Sequence, residues 1–227
     1  MGSFDRIEDL ARARKGGAER LAELLGQNRP KTPAELRETG DARWLAMFTR
    51  CIFQAGFNWK VIDAKWDGFE DAFHGFDPAF LAFQPDEFYD QLMADTRIVR
   101  NGAKIRSVAE NARFVCDLAK EHGSAAAFFA DYPVTDQTGL MDLLKKRGSR
   151  LGGNTGQYAL RFMGKESFIL SKDVLNALIR EGVIENDALS KKNLAAIQAA
   201  FNEWKAASGR SLNEISRILA FSVGTVD

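Results

Sequence analysis

The stretch Leu151-Gly152-Gly153-Asn154-Thr155-Gly156-Gln157-Tyr158-Ala159 decides the fold. It is the one glycine-rich turn in the chain, it joins two helical patterns, and Lys145-Lys146-Arg147-Gly148-Ser149-Arg150 leads into it with four positive charges and no negative one. A glycine-rich loop that opens a helix presents unpaired backbone N–H groups at the positive end of the helix dipole. Such a turn suits an anion, and the preceding cations favour a phosphate. The plainer role is also available: glycines serve helix-connecting turns wherever φ must be positive.

Outward from this turn, nearly every segment reads as helix. Apolar residues recur at helical spacing in Trp44 to Phe57, in Lys104 to Leu118, in Val174 to Ile184, in Leu194 to Trp204 and in Leu212 to Phe221. No run sustains the period-two alternation of a strand, so the fold class is all-α. Pro30 and Pro33 separate an N-terminal helical piece, Asp77 and Asp86 read as caps before or at short helices, and Tyr132 to Asp136 reads as a loop. Three segments follow: an N-terminal helical extension at 1–40, a core at 41–184 with the hairpin at 147–160, and C-terminal helices at 185–227.

Composition narrows the function classes. The 227 residues carry 31 basic and 31 acidic side chains, so a duplex-binding role needs a basic face rather than a basic protein. The Lys145–Arg150 run supplies one. Cys51 and Cys116 stand far apart with no paired spacing, which excludes a disulfide framework and a cysteine-based zinc site. No apolar run spans a bilayer and the N-terminus lacks a signal-peptide pattern. The expectation is a cytoplasmic protein with no membrane partner, no cofactor and no metal.

Two motif sets carry a resemblance. The hairpin is similar to that of helix-hairpin-helix DNA glycosylases, with Leu151, Gly153 and Ala159 at matching places, Gly152 where the pattern has proline and Thr155 where it has its second glycine. More specifically, Gln54-Ala55-Gly56-Phe57-Asn58-Trp59, then Phe73-His74-x-Phe76-Asp77-Pro78, then Ile98-Val99-Arg100-Asn101-x-x-Lys104-Ile105 leading to Asn111-Ala112, and Leu144 to Gly148, resemble the 3-methyladenine DNA glycosylase I family in order and spacing. The resemblance implies a helix-hairpin-helix fold with a pocket between two helical lobes. It also implies a monomeric, monofunctional enzyme that hydrolyses the N-glycosidic bond of an alkylated purine in double-stranded DNA.

The chemistry such an enzyme needs can be placed on residues. A base inside the stack is out of reach, so it must be extruded, stacked and read. By resemblance the base pocket takes Cys51, Gln54, Phe57 and Trp59, with Phe53 left to the core. The backbone is held by Lys146, Arg147, Arg150, Gly152, Gly153, Thr155 and Gly156. Catalysis falls to Ser171 and Asp173, which equally suit a helix cap and a first-turn acid.

Three departures shape the expectation. Cys51 stands where the family has the glutamate that recognises a cationic base. Ser171 stands where the wider superfamily has its aspartate, and Gln157 where lyase members have their lysine. Only His74 and His122 are available in place of the zinc ligands of bacterial relatives. The alternatives are a non-catalytic or altered-specificity DNA-binding relative and, from the balanced charge, a helical interaction protein without nucleic acid.

Overall fold

The computed structural model describes residues 4–27 and 29–223, so the extreme ends of the N- and C-terminal segments lie outside the described residues. Fifteen α-helices occur among the described residues: α1 (Phe4–Arg14), α2 (Ala18–Gly26), α3 (Pro33–Arg37), α4 (Asp41–Gln54), α5 (Trp59–Ala64), α6 (Trp66–Ala72), α7 (Pro78–Ala82), α8 (Asp86–Leu92), α9 (Gly102–His122), α10 (Ala125–Asp131), α11 (Gln137–Arg147), α12 (Asn154–Met163), α13 (Lys172–Arg180), α14 (Lys191–Ser208) and α15 (Leu212–Phe221). Among those residues there is no strand, and no helix is long and apolar enough to cross a membrane.

The helices divide into two compact units, each discontinuous in sequence. One comprises Met1–Lys31, Pro133–Leu140 and Gly164–Asp227, the other Thr32–Tyr132 and Met141–Met163. This differs from the three consecutive segments expected. Helices α1 and α2 share a unit with the C-terminal ones because α1 packs on α15, a contact that local periodicity does not encode, whereas α3 falls in the other unit.

In the unit that holds the hairpin, α4 packs on α9, and α12 on α4. The apolar stripe of α4 buries Trp44, Leu45, Phe48 and Ile52. Trp44 stacks on Phe129 at 4.1 Å between ring centroids, and Phe48 meets Phe129 edge-on at 5.8 Å. Aromatic pairs of this geometry contribute about 0.5–1.5 kcal/mol beyond their buried area. Phe53 is buried edge-on against Phe69 at 4.7 Å, a core position.

In the other unit, α13 and α1 both pack on α15. Phe168 stacks on Phe201 at 4.1 Å, and Phe201 meets Trp204 at 5.8 Å. Buried polar groups are tied to the backbone: Ser167 N–H donates to Asn213 Oδ1 at 2.8 Å and Ile169 N–H to Ser216 Oγ at 3.1 Å.

Cap chemistry sets most boundaries. Asp77 accepts from Ala79 and Phe80 N–H and starts α7. Asp86, expected as a cap, is instead the first residue of α8, where Pro85 holds the cap position and the acid complements the dipole. The stretch expected as a loop contains a 3₁₀ turn, Val134–Asp136. α4 stops at Gln54, short of Phe57, because Ala55 leaves the helical region and Gly56 adopts φ 68°.

Candidate nucleic-acid interface

The hairpin is built by α11, a six-residue turn and α12. Gly148 to Gly153 form the turn, whereas Gly156, expected within it, lies in the first turn of α12. A Cβ at Gly148 would stand 2.8 Å from the Leu144 carbonyl oxygen, and one at Gly156 would stand 2.3 Å from that of Leu151. Both glycines are required by close approach, a different reason from the positive φ of 59° at Gly153. Arg150 also has φ 59°, a region that non-glycine residues seldom occupy.

The turn is clamped from α9. Asn111, buried on that helix, donates from Nδ2 to the Ser149 carbonyl oxygen at 3.0 Å and accepts the Ser149 N–H at 2.9 Å. Beside it, Arg147 makes two hydrogen bonds to Glu121, at 2.8 and 2.7 Å, and its guanidinium lies 5.5 Å from the centre of the Phe114 ring. The hydrogen bonds to Glu121 raise the Arg147 pKa. Lys146 pairs with Asp142 at 2.6 Å. Of the three cations expected to hold a backbone, only Arg150 has no hydrogen-bonded or ion-pair partner among the described residues.

Arg150 reaches a cleft. Ile52, Ala55, Lys104, Arg150, Gly152 and Thr155 line an open depression of about 350 Å³. Burial, and then the Arg150 charge, pull the Lys104 pKa below the ordinary lysine value. The cleft is therefore electropositive and lined by the hairpin's own Gly152 and Thr155. A larger cavity of about 480 Å³ lies in the other unit, but its Glu8, Arg12, Arg210 and Glu214 are paired among themselves.

The aromatic side of the site follows from how the chain leaves α4. Gly56 turns it back, Asn58 caps α5 by accepting the Lys60 N–H at 3.0 Å, and Trp59 opens that helix. Trp59 and Phe57 stay 44% and 46% exposed. Trp59 meets two rings of α12 edge-on: Tyr158 at 5.9 Å and Phe162, itself 40% exposed, at 6.0 Å. These two partners were not singled out from sequence. Their spacing of four residues puts them on one face of a helix, which was the available signal.

The remaining expected residues fall as follows. Cys51 is buried, and burial pushes its thiol up to about 12 against a smaller opposing effect of Arg50. It is a neutral group in the wall of α4. Gln54 is also buried, and its Nε2 donates to Asp63 Oδ1 at 3.2 Å, an oxygen that Arg50 Nη2 reaches at 2.7 Å. That amide is engaged in holding α5 to α4. Ser171 and Asp173 belong to the other unit: the Ser171 Oγ accepts the Val174 N–H at 3.3 Å and caps α13, and Asp173 is exposed in its first turn.

One unit thus carries a clamped glycine hairpin, a cationic cleft and exposed indole and phenyl rings. The 8-oxoguanine DNA glycosylase of Methanocaldococcus jannaschii has this fold: it aligns over 99% of the present chain and 95% of its own, with a TM-score of 0.57 at 14% identity. That of Thermotoga maritima aligns over 98% of both chains, with a TM-score of 0.53 at 19% identity. The 3-methyladenine DNA glycosylase I of Staphylococcus aureus covers 60% of this chain and 79% of its own, with a TM-score of 0.50 at 22% identity. Residues 36–146 match the methyladenine glycosylase family. A comparison with curated proteins gives no match.

Proposed function

We propose that the protein is a monofunctional base-excision DNA glycosylase that hydrolyses the N-glycosidic bond of an alkylated purine in double-stranded DNA. The observation that carries this reading is Trp59. It is a large aromatic left exposed next to Tyr158 and Phe162, on the unit that holds the hairpin and the Lys104–Arg150 cleft. Base stacking on an aromatic contributes about 1–3 kcal/mol per base, enough to hold an extruded nucleotide. Arg150 and the first amides of α12 suit a phosphate that flanks it.

In the reaction, water takes the place of the base at C1′ and the base departs with the bonding electron pair. Alkylated purines need little help to leave when they are already cationic. Asp173, exposed in the first turn of α13, is the carboxylate we assign to the chemical step, and Ser171 caps the helix that carries it. Gln54 acts through Asp63 on the placement of α5 rather than on the base edge.

Cys51 favours a second reading, altered specificity. A neutral buried thiol offers no charge to a cationic adenine, so the preferred lesion is one held by stacking more than by a carboxylate. Two unpaired cysteines fit a cytoplasmic setting, and we take the enzyme to act as a monomer. Incubating the protein with alkylated duplex DNA and identifying released bases by mass spectrometry tests the reading. Release of a modified purine supports it. Duplex binding without release of any base overturns the enzymatic assignment and leaves a binding-only relative.

A further inference from the structure

We propose that Lys104 is a positioning residue that sets the connection from α4 to α5 and thereby the presentation of Trp59. The starting point is an electrostatic oddity. Lys104 lies in the first turn of α9, three residues after its cap Asn101, whose side chain accepts the Lys104 N–H at 3.1 Å. A cation there opposes the dipole of its own helix. Its ammonium instead serves another helix: Nζ donates to the carbonyl oxygens of Ala55 at 2.7 Å and Phe53 at 3.2 Å.

Those carbonyls end α4, the negative pole of that helix, which has no basic residue in its own last turn. Terminal carbonyls have no partner within their helix, and α9 supplies the missing donor from outside. The ammonium also lies 5.9 Å from the centre of the Phe53 ring, which is anchored against Phe69. One charged group therefore fixes both the last turn of α4 and Ala55, the residue at which the chain departs. From there Gly56 at φ 68°, Asn58 as cap and Trp59 as first residue of α5 follow within four positions.

The placement is held against a cost. Lys104 lines the cleft that Arg150 also lines, and both burial and that neighbouring charge disfavour the ammonium. Without it, the Phe53 and Ala55 carbonyls face a cleft with no side-chain donor from α9, and the Ala55–Trp59 connection loses its anchor.

The test uses the full chain labelled with 5-fluorotryptophan. Its four tryptophans, Trp44, Trp59, Trp66 and Trp204, give separate ¹⁹F resonances, with Trp59 assigned through Trp59→Phe. Lys104→Met keeps the apolar stem and removes the donor; Arg106→Met, which removes an exposed cation of α9 paired with Asp90 of α8, is the control. The expected result is a shifted or broadened Trp59 resonance in Lys104→Met alone, with Trp44 and Trp204 unmoved. Single-turnover base release should fall about tenfold or more, since a misplacement of ~1 Å can cost ~100-fold. This second arm rests on the glycosylase reading, whereas the ¹⁹F arm does not, so failure of one is distinguishable from failure of the other. A Trp59 resonance unchanged in Lys104→Met, with or without loss of duplex affinity, would make Lys104 a phosphate contact or a passive cap and overturn the proposal.

Discussion

Asn111 and Ser149 hold one another through a pair of hydrogen bonds, amide to carbonyl at 3.0 Å and backbone N–H to amide oxygen at 2.9 Å, so a side chain of α9 replaces the backbone partners that the hairpin turn lacks. Backbone N–H and C=O groups partly shielded from water need a partner. Asn111 supplies it for the residue next to Arg150.

Asn111→Ala should therefore cost about 1 kcal/mol, the low end of the ~1–3 kcal/mol for an unsatisfied buried group, because Ser149 is only partly buried. The Ser149 amide should exchange with solvent much faster. Denaturant unfolding together with site-resolved hydrogen exchange checks both, and an unchanged Ser149 exchange rate would show that the clamp does not order the turn.

The two hairpin arginines should separate. Arg150→Ala removes an unpaired cation at the cleft, and the slope of log affinity against log salt should fall by about 1. Arg147→Ala should change that slope less, because its guanidinium is engaged with Glu121 and Phe114. Binding of a duplex with a stable abasic analogue across a salt series decides, and equal slopes for the two variants would contradict the assignment.

Ser171 and Asp173 should also part company. Ser171→Ala loses a cap, worth ~1 kcal/mol, and should leave base release intact once the protein is folded. Asp173→Asn should reduce single-turnover release with little change in stability. Melting temperatures beside release rates discriminate: a slower Ser171→Ala with an unaffected Asp173→Asn would reverse the roles.

Cys51 predicts an alkaline instability. Its thiol is raised from the ordinary value of 9.0 to about 12 in the folded chain, so the unfolded chain loses this proton first as pH rises. Stability from this group is complete below pH 9 and drains away between 9 and about 12, by up to ~1.4 kcal/mol per unit. Tyr89, raised from 10.0 to about 12 by burial, acts in the same direction. Cys51→Ala should flatten the upper part of the stability–pH curve, as followed by urea unfolding from pH 8 to 10.5. A slope identical to the parent's would show that the thiol does not titrate differently on folding.

Much of this was readable before any coordinates. The helix from Leu212 to Phe221 was expected with the same ends, and the glycine turn was found where its composition placed it. Trp59 was legible because an aromatic after a glycine-containing helix end has little core to enter. Other features depend on long-range packing. Nothing in the local pattern says that α12 brings Tyr158 and Phe162 to Trp59, or that Asn111, a polar residue on a buried face, reaches a turn 38 residues away. Nor does composition reveal that Gly156 is needed for a carbonyl's approach while Gly153 is needed for its φ. The contact of Gln54 with Asp63 is not legible in the sequence, because it forms only once α5 folds back on α4.

The central claim is that Trp59 is where an extruded purine is held for hydrolysis. Single-turnover release of modified purine from an alkylated duplex, compared between the parent protein and Trp59→Ala, tests it most directly. Release by the parent, reduced about five- to 150-fold in the variant as the loss of ~1–3 kcal/mol of stacking requires, with abasic-duplex affinity retained, is the expected result. Release by both proteins at the same rate would contradict the account and move the pocket away from Trp59.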